Sequence, residues 1–406
     1  MQDNIRKTVL VLVVAMIVVA IGYFELQKPK RIGTTGTEIQ VPAILTVSTI
    51  TDEKPQQNAT KTVTVSGLQA QEPTRSIDRS SIQKEKALKF DRLKELVNPG
   101  GFINGDSFRL ADFAGKKVIL IDFWTYSCIN CQRTTPYLNA WYEKYKDQGL
   151  VIVGVHTPEF GFEKMYENVV KATRNAGIQY PVVQDNEYGT WNAYANRFWP
   201  RKYLIDIDGF IVYDHIGEGD YDGTERVIQK ALKERQDAFD MSDSIAGGVV
   251  APKEAVTMNM SGVKSPEVYF GAARNASLKN GKEGLRGLQI LDTPEDSVLN
   301  RLYLGGSWYF DDEFARTESS GATIIYRYSA KNVYFVARAD SDVVIKITRD
   351  GELLGIDAGK DVGADGVVRV KEDRLYELVN GTTYGEHVLE MEVQGPGLEA
   401  YTFTFG

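Results

Sequence analysis

An apolar run, Val118-Ile-Leu-Ile-Asp-Phe-Trp124, leads through Thr125-Tyr-Ser127 into Cys128-Ile-Asn-Cys131, which holds the only 2 cysteines among 406 residues. Continuous apolar sequence, without polar alternation, reads as a strand buried on both faces, as in the middle of an α/β sheet. Two thiols at the end of such a strand are placed to exchange a disulfide. With no other cysteine, neither belongs to a larger disulfide framework or a four-cysteine metal site. A zinc site would need two further ligands, and the chain offers only His156, His215 and His387. A purely structural bridge would close a very small loop and constrain the unfolded chain little. The pair works alone or on another molecule.

The length and a hydrophobic content of 43% allow two domains with separate cores. The formal charge of −8, with no Lys/Arg cluster interleaved with aromatics, speaks against a nucleic-acid-binding surface. Residues 1–7 read as a short tail. Thr8 to Phe24 is an unbroken apolar run ended by Glu25, with Lys28, Lys30 and Arg31 beyond. It lies at the short end of the roughly 17 to 25 residues of a spanning helix. No small-x-small site follows, so the expectation for 8–24 is an uncleaved single transmembrane helix rather than a signal peptide. Basic residues flank it almost evenly; an isolated dithiol suits an extracytoplasmic domain, and that argument sets the orientation.

Residues 25–90 are rich in Thr, Ser, Gln and Lys, with Pro42, Pro55 and Pro73 and no sustained period, as expected of a flexible tether. Asn104-Gly105 predicts a hairpin across Phe102 to Phe108. From 91 to 235 strands and helices alternate. The order is strand Val118 to Phe123, helix Cys128 to about Lys146, strand Leu150 to His156 and helix Glu163 to Asn175. Strands Pro181 to Gln184, Lys202 to Asp206 and Ile211 to His215 follow, then helix Gly223 to Glu234. This order implies a mixed central sheet with helices on both faces, its site beyond the C-terminal ends of the parallel strands, where the cysteines fall. Residues 236–264, with Gly247-Gly248 and Pro252, read as a linker. From 265 to 406 short alternating runs recur between turns, the signature of an all-β sandwich or jelly roll. Thr323 to Tyr328 and Asn332 to Ala337 are two of those runs.

The nucleophile in thiol exchange is the thiolate, which a helix N-terminus favours. Cys128 would start the helix that carries Cys131, so Cys128 attacks and Cys131, one turn further in, resolves the mixed disulfide. The resolving thiol needs a proton acceptor. Asp122 interrupts an otherwise apolar strand, and its carboxyl is expected to be buried with a raised pKa. His156 and Glu159, in Val155-His-Thr-Pro-Glu-Phe160, are the other groups that could reach the site. Trp199-Pro200, at the entrance of a strand facing the site, is a candidate cis peptide.

Ile121-Asp-Phe-Trp-Thr-Tyr-Ser-Cys-Ile-Asn-Cys131, with Pro136 five residues on and Trp199-Pro200 before a strand, resembles the thioredoxin superfamily. The extra helix and strand between Glu159 and Asp185 are similar to TlpA-like membrane-anchored redoxins. Gly154-Val-His-Thr-Pro-Glu-Phe160, Thr190-Trp-Asn-Ala-Tyr194 and Gly217-Glu-Gly-Asp-Tyr221 look like the soluble part of DipZ-type proteins. In that group a β-sandwich similar to carbohydrate-binding modules follows, matched here by Ser265-Pro-Glu-Val-Tyr-Phe-Gly271, Arg374 to Leu378 and Tyr401 to Gly406. The resemblance implies a thioredoxin-like α/β domain at 91–235 and a sandwich at 265–406. It implies Cys128 as nucleophile, Cys131 as resolving thiol, Asp122 as buried acid and Pro200 as cis-proline; Trp124, Thr125, His156, Glu159 and Trp199 are the candidate accessory residues beside them. No cofactor is implied beyond the redox-active disulfide Cys128–Cys131. The multi-helix electron-delivery module of full DipZ proteins has no counterpart here, so a separate membrane donor of the CcdA/DsbD type is expected. Some TlpA-like reductases carry Glu three residues after the second cysteine, where this chain has Thr134.

The leading expectation is a single-pass protein of a bacterial cell membrane, its catalytic domain in the periplasm or cell exterior, that reduces disulfide-containing proteins. Peroxide reduction is a second reading, since Thr125 stands three residues before Cys128 as in the Thr-x-x-Cys of peroxiredoxins. A third reading is a surface glycan- or partner-binding protein with an auxiliary redoxin domain, in which Trp308 of Leu304-Gly-Gly-Ser-Trp-Tyr-Phe310 offers a stacking platform for sugars.

Overall fold

The computed structural model describes residues 79–256 and 258–406. The expected anchor at 8–24 and most of the expected tether lie outside the described residues. Among those described, no helix is long and apolar enough to cross a membrane. Helix α1 (Arg79–Ala87) falls inside the stretch read as tether, and it buries no side chain. Charge holds it instead. Lys86 Nζ donates to Asp206 at 2.6 Å, to Asp208 at 2.9 Å and to Glu234, and Arg79 reaches Asp208 at 2.6 Å. The polar composition that suggested disorder is the composition of an ion-paired strap.

Six strands form the α/β sheet: β1 (Gly101–Ile103), β2 (Val118–Trp124), β3 (Leu150–His156), β4 (Val182–Gln184), β5 (Arg201–Ile205) and β6 (Ile211–Ile216). Their order is β1-β4-β3-β2-β5-β6. β2, β3 and β4 run parallel, and the remaining pairings are antiparallel. The turn at Asn104 is real, with φ of 62°, yet no hairpin follows. β1 pairs with β4 instead, and the Asn104 amide donates to the carbonyls of Ile178 and Tyr180. Helices α2 (Ile129–Tyr145), α3 (Tyr166–Asn175), α4 (Gly189–Ala193) and α5 (Tyr221–Ala238) complete the layers. Every residue of β2 is buried. Its odd positions, Ile119, Ile121 and Phe123, pack with Trp191 and Tyr194 around α4. Val118, Leu120 and Trp124 pack with Leu138 and Trp141 of α2 and Ile228 and Leu232 of α5. The two-residue period of a strand therefore aims Asp122 at the α2 side.

Nine antiparallel strands build the second domain: β7 (Val268–Tyr269), β8 (Gly287–Leu291), β9 (Leu302–Phe310), β10 (Ala315–Thr317), β11 (Ala322–Arg338), β12 (Val343–Arg349), β13 (Val367–Val370), β14 (Arg374–Val393) and β15 (Glu399–Phe405). The two runs read from sequence as Thr323 to Tyr328 and Asn332 to Ala337 are one strand, β11. Its pairing shifts between Ala330 and Asn332, so its first half lies beside β9 and its second beside β15, with β14 along both. Such a bulge lets one strand serve two sheets. Trp308 is fully buried in this core and donates its indole N–H to the Gly305 carbonyl at 2.9 Å. It offers no stacking surface, because its position on β9 has the inward parity of Leu304 and Phe310.

The two domains share a packed face. Along β11, Val333, Phe335 and Ala337 enter the sandwich core, whereas Tyr334 and Val336 join the core of the α/β domain. Tyr401 stands edge-on to Phe160 and Phe162, with centroids at 5.0 and 4.9 Å. The linker is also held. Main-chain N–H groups of Ala246 and Val250 donate to Gln148 and Glu225, and the Gly248 carbonyl accepts from Lys144 and Gln229.

Candidate active site

Cys128 is the N-cap of α2, extended at φ −78° and ψ 117°, and its Sγ accepts the Cys131 N–H at 3.4 Å. It is half-buried, Cys131 is 2% exposed, and the two thiols are not bonded to each other. The first thiol faces a cleft; the second faces the core. Pro136 interrupts the helical ladder just past Cys131. Burial pushes the Cys131 thiol well above its ordinary pKa, and the neighbouring Cys128 and Asp122 add to the rise.

Asp122 lies inside the protein on the same side of the sheet, opposite Lys202 of β5. Burial pushes its carboxyl up to about 7, and the Lys202 ammonium pulls it back part of the way. Its Oδ1 makes no hydrogen bond among the described residues. An unpaired carboxylate oxygen in the interior is a ready proton acceptor. Lys202 is itself fully buried; desolvation drives its pKa down while Asp122 and Cys131 oppose the fall, and its Nζ donates to the Gly217 carbonyl at 3.1 Å. Sequence reasoning passed over it. The signal was its register: Lys202 and Leu204 share one parity on β5, and antiparallel pairing sets Lys202 against Asp122.

The Trp199–Pro200 peptide is cis, and the Trp199 carbonyl lies 3.9 Å from Cys128 Sγ. The Trp199 indole packs on Trp191, centroids 4.3 Å apart, and donates to the Thr157 carbonyl at 3.0 Å. Trp124, Thr125 and His156 are all buried behind the cysteines. His156 stands edge-on to Trp124 and stacks with Tyr126, and its Nε2 lies 3.4 Å from the Thr125 hydroxyl. Burial pushes that imidazole down to about 3, so it is neutral and interior. Glu159, by contrast, lines the same cleft as Cys128.

A second residue was missed. Glu163, with no exposed surface, accepts the Ser127 hydroxyl at 2.7 Å, the Ser127 N–H at 3.2 Å, and the N–H groups of Glu159 and Phe160 at 2.6 and 3.0 Å. It ties the residue before Cys128 to the loop that touches the sandwich. Its place in a glycine-bearing loop, Phe160-Gly-Phe-Glu163, resembled nothing more than a helix start.

A dithiol at the strand-to-helix junction of a mixed sheet, with one sulfur at the surface and one inside, is an arrangement suited to thiol-disulfide exchange, and two stretches of the chain are similar to thioredoxin-like proteins. Residues 86–214 match the AhpC/TSA family, and residues 265–406 match the family of the thioredoxin-like C-terminal domain. Protein DipZ of Mycobacterium tuberculosis is 35% identical over 292 residues, covering 71% of this chain and 39% of that protein. The chain thus spans about two fifths of the length of its DipZ relatives. Thiol-disulfide oxidoreductase ResA of Geobacillus kaustophilus is 36% identical over 109 residues, 26% of this chain and 58% of that protein. Among solved structures, a thioredoxin-like protein in its oxidized form is 25% identical over 36% of this chain and 97% of its own, with a TM-score of 0.34.

Proposed function

We propose that this protein is a membrane-anchored, extracytoplasmic thiol-disulfide oxidoreductase that reduces disulfides in other proteins. The observation that carries the reading is the split placement of the two thiols, Cys128 at the cleft and Cys131 buried beside Asp122. The Cys128 thiolate attacks one sulfur of a substrate disulfide, forms a mixed disulfide and expels the other sulfur as a thiolate. Cys131 then passes its proton toward Asp122 and attacks Cys128, expelling the second substrate thiolate. Two electrons have moved to the substrate, and Cys128–Cys131 is oxidised. Return to the dithiol state needs two electrons from a further carrier. A separate membrane carrier of the CcdA/DsbD type is the proposed donor, and the apolar run Thr8 to Phe24 is the proposed anchor beside it.

Cys131→Ser should trap mixed disulfides at Cys128 in a cell extract, and Cys128→Ser should trap none. Absence of any adduct with the first variant overturns the reading. The potential of the couple gives the direction of flow: about −270 mV for a reductase, about −120 mV for an oxidant. Protease access to the folded domains in intact cells tests the location. The peroxide reading is the weaker one, because the Thr125 hydroxyl points to His156 in the interior.

A further inference from the structure

The cleft in front of Cys128 measures about 400 Å³, and only part of its wall belongs to the redoxin domain. Ser127, Cys128 and Trp199 form one side; Glu267, Thr402 and Thr404 of the sandwich form the other. The sequence Tyr401-Thr-Phe-Thr-Phe405 explains this wall. Phe403 and Phe405 enter the sandwich core, so the intervening threonines face the opposite way. That opposite side is not solvent: Thr402 and Thr404 are 3% and 8% exposed. A polar alternation normally marks a wet face, and here it lines the cleft of a thiol.

The wall is fixed across the domain boundary. Glu159 of the redoxin domain pairs with Arg274 at 2.7 Å and accepts from the Tyr269 hydroxyl at 3.0 Å, and the Arg274 guanidinium lies 3.7 Å over the Tyr269 ring. Glu267 approaches the same hydroxyl at 2.9 Å. One phenol carries one hydrogen, so it serves one carboxylate at a time. Glu159 has Arg274; Glu267 has no ion pair among the described residues. Glu159 and Glu267 thus share one guanidinium and leave the lip with one excess negative charge, while Arg197 and the exposed Phe198 form the lip across from it.

We propose that the sandwich is half of the substrate site: a cystine carried on an extended peptide lies between Cys128 and the Thr402–Thr404 face, with a basic side chain beside its cysteine taken by Glu267. The Thr402 hydroxyl donates to the Phe403 carbonyl, which leaves the Thr404 hydroxyl to meet a peptide backbone, and two carboxylates that share the single Arg274 guanidinium leave one negative charge for a cation. This rests on Cys128 being the attacking thiol.

The test uses the full chain, pre-reduced, in single turnovers with three disulfides. Two are peptides of equal length whose cysteine is blocked by a thionitrobenzoate reporter, flanked by Lys or by Glu. The third is neutral hydroxyethyl disulfide. The Lys-flanked peptide should react about tenfold faster than the Glu-flanked one. Glu267→Lys, at an exposed position, should invert that order, with an unchanged hydroxyethyl disulfide rate showing that the variant is folded. Thr404→Trp, which fills the cleft, should lower the ratio of peptide to hydroxyethyl disulfide rates about tenfold. Equal rates for the two peptides, with no change in Glu267→Lys, overturn the proposal. Failure of the wild-type dithiol to react with hydroxyethyl disulfide overturns the thiol-exchange reading beneath it.

Discussion

Asp122 and Lys202 face one another across β2 and β5, 2% and 0% exposed, on the side of the sheet that carries Cys131. Burial works against the charge on both. The Asp122 carboxyl, raised to about 7 from an ordinary 3.8, binds its proton more tightly in the folded than in the unfolded chain. Between those two values stability therefore falls as pH rises, by up to about 1.4 kcal/mol per pH unit, and levels off above the folded value. Asp122→Asn should remove that slope, so that denaturant unfolding shows the variant gaining on the wild type from pH 4 to pH 7. A parallel pair of stability curves would show that the carboxyl is not held in this way.

Lys202 acts on the same carboxyl from the other side. Its ammonium lowers the Asp122 pKa, and Lys202→Met should shift the pH profile of mixed-disulfide resolution upward by about one unit or more. The readout is the rate at which a preformed Cys128 adduct releases its thiol. A merely structural lysine would change Tm and leave the midpoint of that profile in place.

Glu163 is the acceptor for three main-chain N–H groups in a site without water access. Glu163→Ala leaves those donors unpaired and should cost about 3 kcal/mol or more, a fall in Tm on the order of 5–10 °C. Adduct formation at Cys128 should slow with it, because Ser127 loses its anchor. Glu163→Gln keeps one accepting oxygen and should recover part of both losses.

Trp308→Ala should destabilise the sandwich by about 3–5 kcal/mol, as the loss of a fully buried indole does. A glycan array should read the same for the variant and the wild type wherever both remain folded. A loss of binding in folded variant would restore the indole as a sugar platform.

Much of the site is legible in the sequence. Strand parity and helix start depend on near neighbours, so Cys128, Cys131 and Asp122 fall where local rules put them, whereas the cis peptide at Pro200 was expected from the family resemblance rather than from its neighbours. His156 and Glu159, three residues apart, went to opposite fates. One is buried between aromatics, and the other reaches Arg274 in a different domain. Local sequence cannot separate them, because what differs is the surface each one meets.

The sequence by itself determined the α/β order, the all-β second half and the place of the thiol pair at a strand-to-helix junction, since hydrophobic period and residue type act over a few residues. Only the tertiary structure decided that Lys202 lies against Asp122, that Lys86 gathers three carboxylates, and that Thr402 and Thr404 face a thiol. Each of these joins elements far apart in the chain. Strand pairing sets the first, ion pairs the second and the packing of two domains the third, and no single segment carries that information.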